Sequence, residues 1–278
     1  MRKTSFFRVS SATAGHAPRK RFGQNFLVDG AVIAAIVHAI DPRPGETLVE
    51  IGPGLGALTQ PLLERLGALH VVEIDRDLIA RLRARFTPEQ VTIHAGDALA
   101  FDFAALAIHA PLRVAGNLPY NISTPLLFHL ARFADRVRDM HFMLQKEVVE
   151  RICAEAGSTA YGRLSVMLQS RFYVEALFDV SPESFDPPPK VRSAIVRLIP
   201  KPCAALPDVS AAALSTVVSI AFSQRRKMLR NTLKSLFTEA DLAAQKIDPA
   251  ARAEALTLDD FVRLAKILPG IKANYGSE

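Results

Sequence analysis

The residues best suited to chemistry in this sequence stand four in a row, Asn117-Leu118-Pro119-Tyr120, directly after the strand-like stretch 112–116. An Asn side chain offers a carbonyl acceptor, and a backbone carbonyl beside a rigid proline is a second acceptor fixed in place. The exocyclic amino group of adenine is a poor nucleophile because its lone pair is delocalised into the ring. Two acceptors taking its N–H hydrogens pull the nitrogen toward tetrahedral geometry and aim it at an electrophilic methyl carbon. Tyr120 supplies a flat face for the base. As a bare tetrapeptide the segment also reads as an ordinary turn, so its surroundings decide.

Upstream, TLVEIGPGLGALT (residues 47–59) is β-branched and apolar, then carries Gly52, Gly54 and Gly56 two apart, then becomes helix-like. That is a strand, a tight turn and a helix start, a place where backbone approaches a ligand closely. A dinucleotide fingerprint has its third glycine five residues after the first. Here the interval is four, with Glu50 ahead of the turn, and E-I-G-P-G-L-G resembles motif I of S-adenosyl-L-methionine (AdoMet) methyltransferases. Glu73 closes the next strand, where a carboxylate can accept from ribose hydroxyls, a device shared with nicotinamide-dependent folds. Asp97 follows a third strand; it reads equally as an acceptor for a cofactor amino group and as a helix N-cap.

The elements that must position these residues alternate strand and helix from Glu46: strands near 47–52, 69–74, 91–95, 112–116 and 140–145, with helices near 57–66, 76–86 and 123–133. Helices near 146–155 and 163–171 and strands near 173–179 and 193–199 complete the pattern. Such alternation predicts a Rossmann-like α/β fold, a mostly parallel seven-stranded sheet with helices on both faces and ligands at the strands' carboxyl ends. PKPCAALP at 200–207 reads as a linker into an Ala/Leu-rich helical region. The expected divisions are a disordered tail over 1–18, a methyltransferase domain over 19–203 and a small all-α RNA-binding domain over 204–278.

Charge is local. The 278 residues carry 34 basic and 28 acidic side chains, and six of the basic ones (Arg2, Lys3, Arg8, Arg19, Lys20, Arg21) precede the first acid, Asp29, so the remainder balances. A second basic cluster, AFSQRRKMLRNTLK, would put Arg226, Arg230 and Lys234 on one helix face. Arg19, Lys20, Arg21, Arg225, Arg226, Lys227 and Arg230 are therefore candidate contacts to nucleic-acid phosphates, or else solvated faces. Cys153 and Cys203 have no metal-ligand spacing and no secretory signal accompanies them, so a reduced, cytoplasmic protein without a metal is expected. No apolar run reaches membrane-spanning length.

FGQNFL, EIGPGLGALT, VVEIDRDL, GDAL, GNLPYNIS, MLQKEV, YGRLSV, FDPPPKVRSA and AFSQRRKMLRNTLK, in that order, resemble the KsgA/RsmA family of small-subunit rRNA adenine dimethyltransferases, from about Arg19 to the final helices. The resemblance implies AdoMet-dependent dimethylation of two adjacent adenines in the 3′-terminal hairpin of 16S rRNA during ribosome biogenesis, on the immature 30S subunit, by a monomer. It carries AdoMet contacts to Asn25, Leu27, Gly52, Glu73, Asp97 and Asn117. It carries the target-adenine site to Asn117, Leu118, Pro119, Tyr120 and Phe185. On its own residues, Phe185 in the proline-stiffened SPESFDPPPKV reads either as a core plug or as the second face of a slot opposite Tyr120. Rival readings are the Erm type acting on 23S rRNA and an assembly factor whose binding outweighs catalysis.

Overall fold

The structure is a computed structural model that describes residues 24–107 and 110–268. The expected tail and the basic residues Arg19, Lys20 and Arg21 lie outside them.

The chain divides into two units. One ends at Val149 and resumes over Glu175–Pro200; the other takes Glu150–Val174 and the chain from Lys201 onward. This differs from the linear expectation, which keeps 150–174 in the methyltransferase domain and puts the boundary at 203/204. The helical part of that stretch packs with the later helices, because Tyr161 and Val166 are buried among Leu214, Val217, Leu229 and Phe261. Units assembled by long-range packing need not be contiguous in sequence.

The first unit is built on a seven-stranded sheet. Its strands are β2 (Leu48–Ile51), β3 (Leu69–Glu73), β4 (Val91–Ala95), β5 (Leu112–Asn117), β6 (Val137–Gln145), β7 (Phe172–Val180) and β9 (Ser193–Pro200), in the spatial order β4-β3-β2-β5-β6-β9-β7. Strands β4 through β6 run parallel, while β9 is antiparallel to β6, with Gln145 opposite Ser193. All four residues of β2 are buried, as a strand covered on both faces requires. The order reverses between β2 and β5, the switch point where ligands sit in open α/β sheets.

Helices α1 (Gly30–Ile40), α2 (Thr59–Leu66), α3 (Arg76–Arg85) and α4 (Ser123–Leu130) flank the sheet in chain order, and α5 (Lys146–Cys153) leaves the end of β6. Asp29 caps α1 by accepting from the Ala31 and Val32 N–H groups, and Asp75 caps α3 through Asp77 N–H. At the sheet's other end the buried Arg113 guanidinium pairs with Glu46 at 2.7 Å and Asp139 at 2.8 Å, locking the start of β5 to its neighbours.

A second, two-stranded sheet has no periodicity to announce it. In it β1 (Phe26–Leu27) pairs antiparallel with β8 (Phe185–Asp186), placing Leu27 opposite Phe185.

The second unit contains α6 (Arg163–Gln169), α7 (Ala211–Ala221), α8 (Leu229–Thr232), α9 (Glu239–Ala244) and α10 (Leu258–Lys266) around Phe261 and Leu233. The expected basic helix through AFSQRRKMLRNTLK does not form. After α7 a 3-10 turn covers Phe222–Gln224 and α8 is only four residues long. The cause is backbone hydrogen bonding elsewhere, since Leu229 N–H donates to the Ala251 carbonyl and Arg230 N–H to that of Pro249. Arg226, Lys227 and Arg230 remain exposed but on a bent segment.

Candidate active site

A cavity opens at the carboxyl ends of β2, β3, β4 and β5, and its walls include Asn25, Leu27, Gly52, Glu73, Asp97, Asn117, Leu118, Pro119 and Tyr120. The catalytic and cofactor-binding candidates, Phe185 excepted, thus meet in one place.

The glycine turn makes the floor. Gly52, Gly54 and Gly56 all have positive φ, and a Cβ on Gly54 would meet the Phe26 ring at 3.3 Å. Gly116, one residue before Asn117, admits no side chain, because a Cβ there would sit 2.4 Å from the Ile51 carbonyl oxygen. Strands β2 and β5 can therefore approach closely, bringing the glycine turn beside Asn117.

Glu73 is buried, and its Oε1 accepts from Ile74 N–H at 2.8 Å and Asp75 N–H at 2.9 Å. Burial pushes its carboxyl above the usual range, against the pull of backbone donors at Asp75, Ile74 and Gly54. A carboxylate tied by its own backbone is aimed before any ligand arrives. Asp97 is exposed at the cavity wall and its Oδ1 accepts from Leu99 N–H at 2.9 Å, so the capping role is realised, on a turn rather than a helix.

Asn117 makes the most informative hydrogen bond. Its Nδ2 donates to the Asn25 carbonyl at 3.1 Å. That bond assigns the amide's orientation and leaves Oδ1, an acceptor, to face elsewhere. The turn behind it is braced: Leu118 N–H donates to the Met143 carbonyl, and Ser123 Oγ donates to the Tyr120 carbonyl. Tyr120, half-buried, shares a 2.8 Å hydroxyl contact with Ser193. Burial raises its phenol pKa, an effect the Ser193 contact opposes.

The sequence marks Glu50 as part of the motif I likeness but not as a site residue. It is 2% exposed, lines the cavity and accepts from Thr59 Oγ1 at 2.6 Å. Burial is the largest influence on its carboxyl and pushes it up to about 7; nearby Glu73 adds to the rise, and Thr59 pulls the other way. The one signal is an acid inside an otherwise apolar strand. Gln24 is likewise missed; its Nε2 donates to Asp75 at 3.1 Å, tying the segment before β1 to the N-cap of α3.

Phe185 requires a correction. It is 3% exposed, sits in the core with Leu27 and Ile195, and is not part of the cavity wall. Pairing with Leu27 turns its ring inward, where apolar area is removed from water. Of its two readings, the structure favours packing over a slot. Phe185→Leu should therefore cost about 1 kcal/mol of stability and leave activity per folded molecule near wild type. A folded Leu variant with severely reduced methyl transfer would return Phe185 to the stacking role.

In the second unit, Arg225 is already engaged: its Nε lies 3.3 Å from Glu254 and its guanidinium donates to the Thr159 carbonyl. Arg226, Lys227 and Arg230 are exposed members of the same cluster. Among the described residues no group of three or more His, Cys, Asp or Glu side chains could hold a metal ion, and no helix is long and apolar enough to cross a membrane.

Residues 15–269 match the family described as ribosomal RNA adenine dimethylase. The ribosomal RNA small subunit methyltransferase A of Dechloromonas aromatica is 63% identical over 254 residues, 91% of this chain and 99% of that protein. Its namesake in Ralstonia nicotianae is 61% identical over 274 residues, covering 97% and 96%. Among solved structures, a dimethyladenosine transferase from Plasmodium falciparum gives a TM-score of 0.75 at 26% identity over 86% of this chain and 95% of that one. The 23S rRNA methyltransferase ErmE gives 0.67 at 26% identity, covering 88% and 99%.

Proposed function

The chain belongs to the ribosomal RNA adenine dimethylase family, and from that premise we infer that it is an AdoMet-dependent enzyme dimethylating adenine in 16S rRNA. Identity above 60% to small-subunit enzymes, against 26% to ErmE, favours the small-subunit substrate over the Erm reading. The finer reading is that it methylates two adjacent adenines of the 3′-terminal hairpin on the immature 30S particle, as a cytoplasmic monomer.

The cavity fits such a co-substrate on its own chemistry. It joins an apolar wall to two buried carboxylates and a glycine turn that lets backbone approach. Glu73 would hold the ribose hydroxyls, Asp97 the adenine amino group, and Gly52, Asn25 and Leu27 the remainder. AdoMet supplies an electrophilic methyl group on a sulfonium. The observation that carries the reading is the Asn117 amide, oriented by the Asn25 carbonyl. Its Oδ1 accepts one hydrogen of the target amino group and the Leu118 carbonyl, stiffened by Pro119, accepts the other. Tyr120 offers the base a face once it is lifted from its stack. The test is labelled AdoMet with 30S particles from an unmethylated strain, followed by mapping of the modified bases. No label in 16S rRNA, with label appearing in 23S rRNA when 50S particles are offered instead, would overturn the assignment.

Glu50 gives the site a pH signature. AdoMet is cationic, so it binds best where Glu50 is ionised, above about 7. Affinity should therefore weaken as pH falls from about 8 through 7 to about 6, and Glu50→Gln should flatten that dependence. Titration calorimetry across this range checks it; an equally steep wild-type-like profile in the Gln variant would remove Glu50 from the titration.

Arg226, Lys227 and Arg230, together with Arg19, Lys20 and Arg21, would contact RNA phosphates, with Arg225 contributing less because Glu254 holds it. Neutralising the three exposed residues should weaken particle binding, and the log–log salt slope should fall by about one for every phosphate no longer neutralised. AdoMet affinity should stay unmoved. An unchanged slope would make them solvated surface.

A further inference from the structure

We propose that Ser193 is a positioning residue for methyl transfer, fixing the place and direction of the Tyr120 ring against which the target base lies. This rests on the reading of Asn117 and Tyr120 as the adenine site. Ser193 is fully buried, at 0% exposure, and its Oγ lies 2.8 Å from the Tyr120 hydroxyl. It opens β9, where the ladder sets it opposite Gln145 of β6, so its location is fixed by backbone pairing and not by side-chain choice. Tyr120 is tied at its other end too, since Ser123, itself buried, donates to its carbonyl at 3.1 Å.

Two buried serines thus bracket one tyrosine, one at the main chain and one at the tip of the ring. The direction in which a Tyr ring points is set by its χ1 angle, and holding the hydroxyl at the ring tip fixes that angle before substrate binds. The base approaching Asn117 then meets a ring already held in the place where stacking aligns its amino group. Small misplacements of a reacting group cost large factors in rate. A hydroxyl that merely satisfied a buried serine would contribute to stability and leave the transfer step alone.

The experiment compares full-length wild type with S193A, S193T, Y120F, the Y120F/S193A double variant and N117A, on unmethylated 30S particles in single turnover at saturating AdoMet. AdoMet affinity and melting temperature are measured alongside. S193A and Y120F should each slow transfer roughly five- to fiftyfold, with AdoMet affinity and the particle concentration for half-maximal rate unchanged. The double variant should be no slower than either single one, because both remove the same bond. S193T, which keeps the hydroxyl, should recover most of the rate.

Wild-type rates in S193A, or a double variant slowed by the product of the single effects, would overturn the proposal. Should S193A not fold, Y120F decides alone, and a wild-type rate in Y120F overturns it as well. N117A separates this inference from the reading beneath it: an active N117A sinks the adenine site itself, whereas an inactive N117A beside a fully active S193A sinks only the role of Ser193.

Discussion

Asn117→Ala is expected to lower the single-turnover rate of methyl transfer about a hundredfold to a thousandfold, the usual cost of losing a preorganised acceptor or donor at a reacting centre. The variant should fold, since Asn117 is only half-buried at the end of β5 and its removal opens no core cavity. AdoMet should bind a little more weakly, because the Asn25 carbonyl loses its partner. Asn117→Asp is the sharper probe. It keeps an oxygen of the same shape but sets an acceptor against the Asn25 carbonyl, so the orienting interaction becomes repulsive. Both variants should still bind the particle and sediment with it. A near wild-type rate in either would remove the Asn117 side chain from the chemistry.

Glu73→Ala should weaken AdoMet binding about ten- to a hundredfold, equivalent to one hydrogen bond to a charged group at about 1.5 to 3 kcal/mol. It should also lower stability, because Ile74 and Asp75 N–H donate to this carboxylate and would be left without it. Glu73→Gln separates the two effects: its amide oxygen still accepts from the backbone, restoring stability, while the lost charge keeps the affinity low. Titration calorimetry with thermal unfolding reads both at once. Unchanged AdoMet affinity in a folded Ala variant would take Glu73 out of the site.

Much of this site is legible because Gly52, Glu73, Asp97 and Asn117 sit at or just after the ends of apolar strands. Glu73 and Asn117 end theirs and Gly52 follows directly, so locating the strands locates the cavity. What cannot be read depends on partners far along the chain. β1 and β8 are two residues long each, too short to carry a period, and only their pairing shows that Phe185 faces the core. The AFSQRRKMLRNTLK segment has helical spacing, yet Leu229 and Arg230 give their N–H groups to carbonyls of residues 249–251 and the helix is interrupted. Residues 150–174 look like a continuation of the alternating pattern and pack with helices that begin beyond 210. Glu50 is visible as an acid in an apolar strand, but its ionisation near neutral pH follows from burial, a property of the assembled sheet.

The antiparallel seat of β9 beside β6 also sets a schedule for biogenesis of the enzyme itself. Synthesis runs from the amino end, so Asn117, Tyr120 and β6 leave the ribosome while residues 193–200 are still unmade. Until those residues emerge, β6 has an unpaired edge and the Tyr120 hydroxyl has no Ser193 to meet. The intervening Glu150–Val174 must also be translated first, although it belongs to the other unit. A nascent chain stalled before Ser193 would carry Asn117 and Tyr120 and lack the strand that completes their site, so the catalytic loop matures late.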